Sequence, residues 1–201
     1  MSMLFVITNS ASCKEDFITR IERIASASPD RIILREKHLN HEDLLKLAIR
    51  CKEICDKYSV EFSVNSDIEA AYQVNADIHL PYKLFVESID NIKKFSVVGV
   101  SVHSVSEAEN AEKLGASYLI AGHIFETDCK KGLAPRGLEY LSDISKAVKI
   151  PVLGIGGIAL DKVSSVLNAG ASGICVMSHF MLCNNPESEI SDFYKELYFK
   201  R

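Results

Sequence analysis

Eight short apolar, β-branched runs alternate one for one with eight longer stretches of helical period, and this beat constrains the fold more than any single motif. The strand candidates are 4–8, 31–34, 61–64, 77–80, 97–102, 118–121, 152–155 and 173–177. The helix candidates are 16–27, 41–58, 68–74, 83–93, 106–114, 138–149, 160–169 and 186–199. Strict alternation makes a parallel sheet whose connections return as covering helices. An open doubly wound sheet and a closed eightfold barrel both satisfy it. The count of eight selects the barrel, compact at 201 residues against about 250 for the type. No Pro- or Ser-rich linker divides the chain. We therefore expect an α/β protein, a single small (β/α)8 barrel domain over 1–201. The wording KLGASYLIAG and LNAGASGICVM repeats one helix-to-strand junction late in the chain, as barrels do.

Composition removes several function classes. A formal net charge of −4, with no basic run or stripe, argues against nucleic-acid binding. The N-terminal MLFVIT is strand-length, far below the ~20 residues of a membrane helix. It lacks a basic n-region and a small-residue cleavage site, so a cytoplasmic protein with no membrane partner is expected. Six cysteines without any C-x-x-C pair suit neither a zinc ribbon nor a disulfide framework and are expected as free thiols.

In such a barrel the active site is built from the loops that follow the strands. Arg35-Glu36-Lys37-His38 follow the second strand and Asn65-Ser66 the third. His79 lies near the end of the fourth, with Ser101 and His103 at the end of the fifth. AGHIFETDCKKG, residues 121–132, follows the sixth. Gly156-Gly157 follow the seventh, and Ser178-His179 the eighth. Backbone N–H groups at Gly156 and Gly157, close to a helix start, could hold a phosphate together with Met177 and the Ser178 hydroxyl. The alternative is that the same glycines serve only a tight turn; their place after the seventh strand favours the phosphate. The charges of RIILREK either pair with one another on a surface loop or meet an anionic ligand. Four histidines, His79, His103, His123 and His179, fall at strand ends where they could meet, yet metal-ligand spacing is absent. His123 heads the most polar loop, and its ordinary pKa near neutrality suits a group that takes and returns a proton.

FVIT, LREK, VNSD, IHL, VGVSVHS, AGHIFETDCKKG, PVLGIGGI and GICVMS stand in order on the eight strands. On these strings the chain resembles the thiamine-phosphate-synthase superfamily nearly end to end, and within it the TenI-like thiazole tautomerases. Synthases of that superfamily join a pyrimidine diphosphate to a thiazole phosphate and hold magnesium with two aspartates. Those acids lie in Asn-Asp after the third strand and Gly-Gln-Glu-Asp after the fourth. Here the same places read Asn65-Ser66 and Pro81-Tyr82-Lys83-Leu84, and Asp67 comes one residue late. Synthases also carry Gly-Pro and Thr-x-Thr-Lys where this chain has Gly122-His123 and Thr127-Asp128-Cys129-Lys130.

The Gly-His-x-Phe-x-Thr wording resembles the tautomerase branch, which implies His123 as the catalytic residue with no metal and no cofactor. The expected enzyme is then an isomerase that converts a non-aromatic carboxythiazole phosphate to its aromatic tautomer. Its phosphate would rest on Gly156, Gly157, Met177 and Ser178. Arg35, Lys37 or Lys130 would meet the substrate carboxylate, while Ser101 and Thr127 complete the contacts. A phosphorylated thiazole is the expected partner, and exposed helices leave room for a homodimer. The alternatives are a thiamine-phosphate synthase, or a catalytically silent protein that binds thiazole or thiamine phosphates.

Overall fold

The structure is a computed structural model and describes residues 2–198. Its strands are β1 (Met3–Ile7), β2 (Arg31–Leu34), β3 (Glu61–Asn65), β4 (Asp77–Pro81), β5 (Val98–Val102), β6 (Tyr118–Gly122), β7 (Val152–Ile155) and β8 (Gly173–Val176). Each pairs in parallel with its neighbour in sequence, and β1 pairs with β8, closing the barrel. Helices α1 (Phe17–Ser26), α2 (His41–Lys57), α3 (Ile68–Gln73), α4 (Tyr82–Glu87), α5 (Val105–Lys113), α6 (Gly137–Ala147) and α7 (Val163–Asn168) make the returns. Helices α8 (Ser178–Leu182) and α9 (Pro186–Tyr198) follow the last strand. The expected (β/α)8 barrel is the observed fold.

Local chemistry sets the helix starts. Side-chain oxygens of Asp16, Asn40, Asp67 and Ser104 accept from the backbone N–H groups of Thr19, Asp43, Ala70 and Glu107. Each satisfies one of the donors a first turn leaves unpaired, which stabilises a helix by about 1 kcal/mol.

Three helices depart from the periodicity. The stretch 83–93 was expected to be one helix, but α4 stops at Glu87. Ser88, Asp90 and Asn91 favour turns over helix, and the chain continues as turns that still bury Ile92. In 160–169 the first three residues form a 3₁₀ turn, so α7 begins only at Val163. Helix α8 was not expected at all. It exists because Phe180 and Met181 are fully buried, and because the buried Arg20 side chain donates to the Phe180 and Cys183 carbonyls at its end. The last residue of the expected helix 186–199, Phe199, lies outside the described residues.

The period of two along each strand divides the molecule into two cores. Leu4, Ile32, Val64, Leu80, Val100 and Leu119 face outward under the helices. Phe5, Ile7, Ile33, Ile120, Leu153 and Cys175 face inward and fill one side of the barrel. The other side of the interior is polar: Arg31, Ser63, Asp77, His79, Ser101 and Tyr118 come from β2 to β6. Arg31 is 6% exposed and is satisfied by Asp77 Oδ2 at 2.6 Å and Ser63 Oγ at 2.7 Å. Its guanidinium also lies 5.6 Å from the ring centroids of Phe5 and Tyr118. Among the described residues no helix is long and apolar enough to cross a membrane.

The thiols agree with the sequence reading. Cys13, Cys51, Cys55, Cys175 and Cys183 are free, Cys129 falling outside the side chains described. Burial pushes the Cys55 thiol up to about 12 and raises Cys51 and Cys175 further, so these behave as small apolar groups.

Candidate functional site

Glu36 organises the mouth between the first two strands. Its side chain has no solvent exposure, yet it sits between two basic residues in sequence. It pairs with neither of them. Thr8 Oγ1 donates to Oε1 at 2.5 Å, and the Ser10 amide and hydroxyl donate to Oε2 at 2.8 and 2.6 Å. Thr8 Oγ1 in turn accepts from the Arg35 amide at 3.0 Å. The carboxylate therefore fastens the loop after β1 to the loop after β2, with its charge stabilised by hydroxyl and amide donors.

This arrangement frees the neighbouring cations. Among the described residues no carboxylate lies within ion-pair distance of Arg35, Lys37 or Lys130. Arg35 and Lys130 are both close enough to act on Lys37: Arg35 first, then burial, then Lys130 lower its pKa. Like charges held together without a partner raise one another's energy, and an anion placed among them relieves it. Lys37 also lines a cavity of about 610 Å³ with Glu36, Leu44, Asn65, Ser66 and Asp67. Of the two readings of RIILREK, the geometry supports the ligand-facing one for Arg35 and Lys37 and the internally satisfied one for Glu36.

The loop after β6 is held from below by the loop after β7. Ile124 N donates to Ile155 O at 2.9 Å and Phe125 N to Gly156 O at 3.0 Å. Gly156 and Gly157 have φ of +102° and +65°. A Cβ at Gly156 would lie 2.8 Å from His123 Cα, and one at Gly157 2.3 Å from Glu126 O. Both glycines are thus required by the approach of two backbones, independently of any phosphate. The expectation that they abut a helix start is corrected: Ile158, Ala159 and the 3₁₀ turn 160–162 intervene before α7. Gly157→Ala is expected to destabilise the fold by about 2 kcal/mol or more, from the left-handed backbone and the overlap together, read as a shift in the urea midpoint. On the adjacent strand end Met177 and Ser178 lead into α8, so the four residues expected to hold a phosphate share one corner of the mouth.

His123 stands at that mouth, half-buried. Its Nε2 lies 3.2 Å from Leu133 O, and since a carbonyl only accepts, the ring donates there. The loop closes further through Arg136 N to His123 O at 3.0 Å and Arg136 Nη1 to His103 O at 2.9 Å. Thr127 heads the short turn 128–130 in the same loop.

The four histidines do not converge. His103 lies near Glu107 at the start of α5, its backbone N–H donating to that carboxylate. His179 turns away to Glu189 of α9 at 2.9 Å. His79 is inside the barrel, Nδ1 3.1 Å from Tyr118 Oη and Nε2 2.8 Å from Ser101 Oγ. Burial above all, then Arg31 and Arg35, lower its pKa to about 3. The unfolded chain therefore holds more protons than the fold between about pH 3 and 6.5. The stability from a neutral His79 is complete above 6.5 and is lost as pH falls toward 3, by about 1.4 kcal/mol per pH unit. His79→Gln is expected to flatten this part of the stability–pH curve, measured by urea unfolding.

A divalent cation does not fit the residues present. Where carboxylates would be needed, Asn65 Nδ2 donates to Ser66 Oγ at 2.7 Å. Asp67 spends Oδ1 on the Ala70 amide and Oδ2 on His41 at 2.8 Å. Among the described residues no group of three or more His, Cys, Asp or Glu gathers to hold a metal. The donors offered are an amide and hydroxyls, a weak set for a hard cation.

Residues 4–180 match the family described as thiamine monophosphate synthase. The thiamine-phosphate synthase of Clostridium acetobutylicum is 34% identical over 179 residues, covering 87% of this chain and 85% of that protein. The thiamine-phosphate synthase of Pyrococcus horikoshii is 36% identical over 180 residues, covering 89% and 86%. Among solved structures, thiamine phosphate pyrophosphorylase from Pyrococcus furiosus superposes with a TM-score of 0.82 at 29% identity, over 97% of this chain and 95% of that one.

These similarities overturn the expectation of an isomerase, a thiazole tautomerase centred on His123. The proteins that match along nearly the whole chain are named for synthesis of thiamine phosphate, while the tautomerase reading rested on the wording of the loop after β6 and on the missing acids after β3 and β4. In the site itself, the His123 ring that was to shuttle the proton is engaged by the Leu133 carbonyl of its own loop.

Proposed function

This chain belongs to the thiamine monophosphate synthase family, and we propose that it works as a transferase that joins a pyrimidine diphosphate to a thiazole phosphate. The observation that carries this reading is the cluster of Arg35, Lys37 and Lys130, which among the described residues has no carboxylate partner and in which Arg35 and Lys130 both repel Lys37 beside an open cavity. Transfer from a diphosphate breaks a carbon–oxygen bond, and negative charge grows on the leaving group. Cations already in place stabilise that charge without reorganising. The thiazole phosphate would sit at the other side of the mouth, on the backbone at Gly156, Gly157 and Met177 and on the Ser178 hydroxyl. Ser101, His123 and Thr127 would line the space between the two.

A second reading is favoured by one observation. Ser66 stands where the resemblance implies an acid, and Asp67 has both oxygens engaged. On that reading the chain binds the phosphorylated ligands without coupling them. Release of inorganic pyrophosphate dependent on both substrates, with Mg²⁺ present, separates the two. Release at a steady rate supports the transferase. Saturable binding of thiazole phosphate without release supports the silent binder.

A further inference from the structure

The polar half of the barrel interior contains a continuous line of hydrogen-bonding groups that ends at the mouth. Arg31 Nη1 donates to Ser63 Oγ at 2.7 Å, and its guanidinium lies 5.6 Å from the Tyr118 ring centroid. Tyr118 Oη lies 3.1 Å from His79 Nδ1, and His79 Nε2 lies 2.8 Å from Ser101 Oγ. The space for this line is reserved by Gly99 on β5. A Cβ there would fall 2.1 Å from Tyr118 Cζ and 2.5 Å from His79 Nδ1.

Donor accounting gives the line a direction. A guanidinium has no acceptor, so Ser63 Oγ must accept from Arg31. The buried Tyr118 hydroxyl needs an acceptor for its hydrogen, and among the described residues His79 Nδ1 is the group within hydrogen-bond distance. Burial raises the Tyr118 pKa, so the phenol keeps that hydrogen. With Nδ1 accepting, a neutral imidazole carries its hydrogen on Nε2 and donates to Ser101 Oγ. Ser101 is the one member that is not buried, at the mouth end of β5, and its hydrogen remains unassigned within the line.

We propose that His79 is a positioning residue: from inside the barrel it holds the Ser101 hydroxyl as a hydrogen-bond donor toward a diphosphate group at the mouth. The inference rests on the transferase reading for the identity of the anion, though the orientation of the line does not. His79 touches no ligand itself. It converts a hydroxyl that could point several ways into a preorganised donor at the mouth end of β5.

The test separates positioning from simple support. In a glutamine side chain the amide nitrogen occupies the place of Nε2, whereas in asparagine it occupies that of Nδ1. His79→Gln is therefore expected to keep the donor to Ser101, and His79→Asn to lose it. Inorganic pyrophosphate binding by calorimetry should weaken about tenfold, the scale of one hydrogen bond to a charged group, in His79→Asn and in Ser101→Ala. The double variant should be no weaker than Ser101→Ala alone, and His79→Gln should bind within about twofold of wild type.

Equal losses in the Asn and Gln variants, additive with Ser101→Ala, would overturn the inference. Nitrogen NMR of the wild type provides a readout without ligand. The Nε2–H tautomer, unchanged between pH 5 and 8, is expected, and an Nδ1–H tautomer would also overturn the inference. Absence of pyrophosphate binding in wild type would remove the anion site and this role with it. Pyrophosphate binding without coupling would count against the transferase alone.

Discussion

Arg35→Ala is expected to lower kcat/KM for the coupling reaction by about 10²–10³-fold, the usual cost of removing one preorganised electrostatic donor. Arg35 is half-buried at the end of β2, and its backbone amide is fixed by Thr8 Oγ1 at 3.0 Å. Its guanidinium acts electrostatically on both Lys37 at the cavity and His79 in the barrel interior. Lys37 and Lys130 are exposed, so each is worth less alone because water and salt screen them. The loss in Arg35→Ala should appear in kcat as well as KM, because charge on the leaving diphosphate is greater in the transition state than in the bound substrate. Arg35→Lys should recover only part of it, since a point charge does not reproduce a bidentate fork. Steady-state kinetics with each substrate varied in turn make the comparison. An Arg35→Ala enzyme with unchanged kcat would remove Arg35 from the reaction.

The second large effect concerns stability. Glu36→Ala is expected to destabilise the fold by about 3 kcal/mol or more, because hydrogen bonds to a charged group contribute about 1.5–3 kcal/mol each. Three such bonds disappear at once, and the buried Thr8 hydroxyl is left without its acceptor. Glu36→Gln keeps the shape and one acceptor oxygen and should cost about half as much. Lys37→Ala, one residue away but exposed, should stay within about 0.5 kcal/mol of wild type. Urea unfolding of the three variants orders them. A Glu36→Ala midpoint equal to that of Lys37→Ala would show that the carboxylate does not fasten the two loops.

The barrel was legible in the sequence because it depends on a count and a period. Eight apolar runs of strand length and the helical stretches between them survive errors of one or two residues at each end. The polar half of the interior was readable by the same means and was missed. On the inward face of a parallel barrel, every second position, RIIL offers Arg31, EFSVN offers Ser63, DIHLP offers Asp77 and His79, and VGVSV offers Gly99 and Ser101. Attention to the apolar positions alone hid Arg31, Ser63, Asp77 and Tyr118.

The role of Glu36 could not be read at all. Its partners Thr8 and Ser10 lie more than twenty residues away, and flanking Arg35 and Lys37 suggest local pairing that the fold does not use. The β6 loop misled for a related reason. A short run such as GHIFET carries chemical types without their surroundings, whereas the charge of the site is assembled from β2 and β6 loops that only the closed barrel brings together.

The central claim is that this barrel mouth couples two phosphorylated rings. A single-turnover experiment tests it most directly, with protein in excess over pyrimidine diphosphate, thiazole phosphate saturating, Mg²⁺ present, and the quenched mixture read by phosphorus NMR. Thiamine phosphate and inorganic pyrophosphate appearing in equal amounts is the predicted result. Both ligands bound and neither consumed would contradict it.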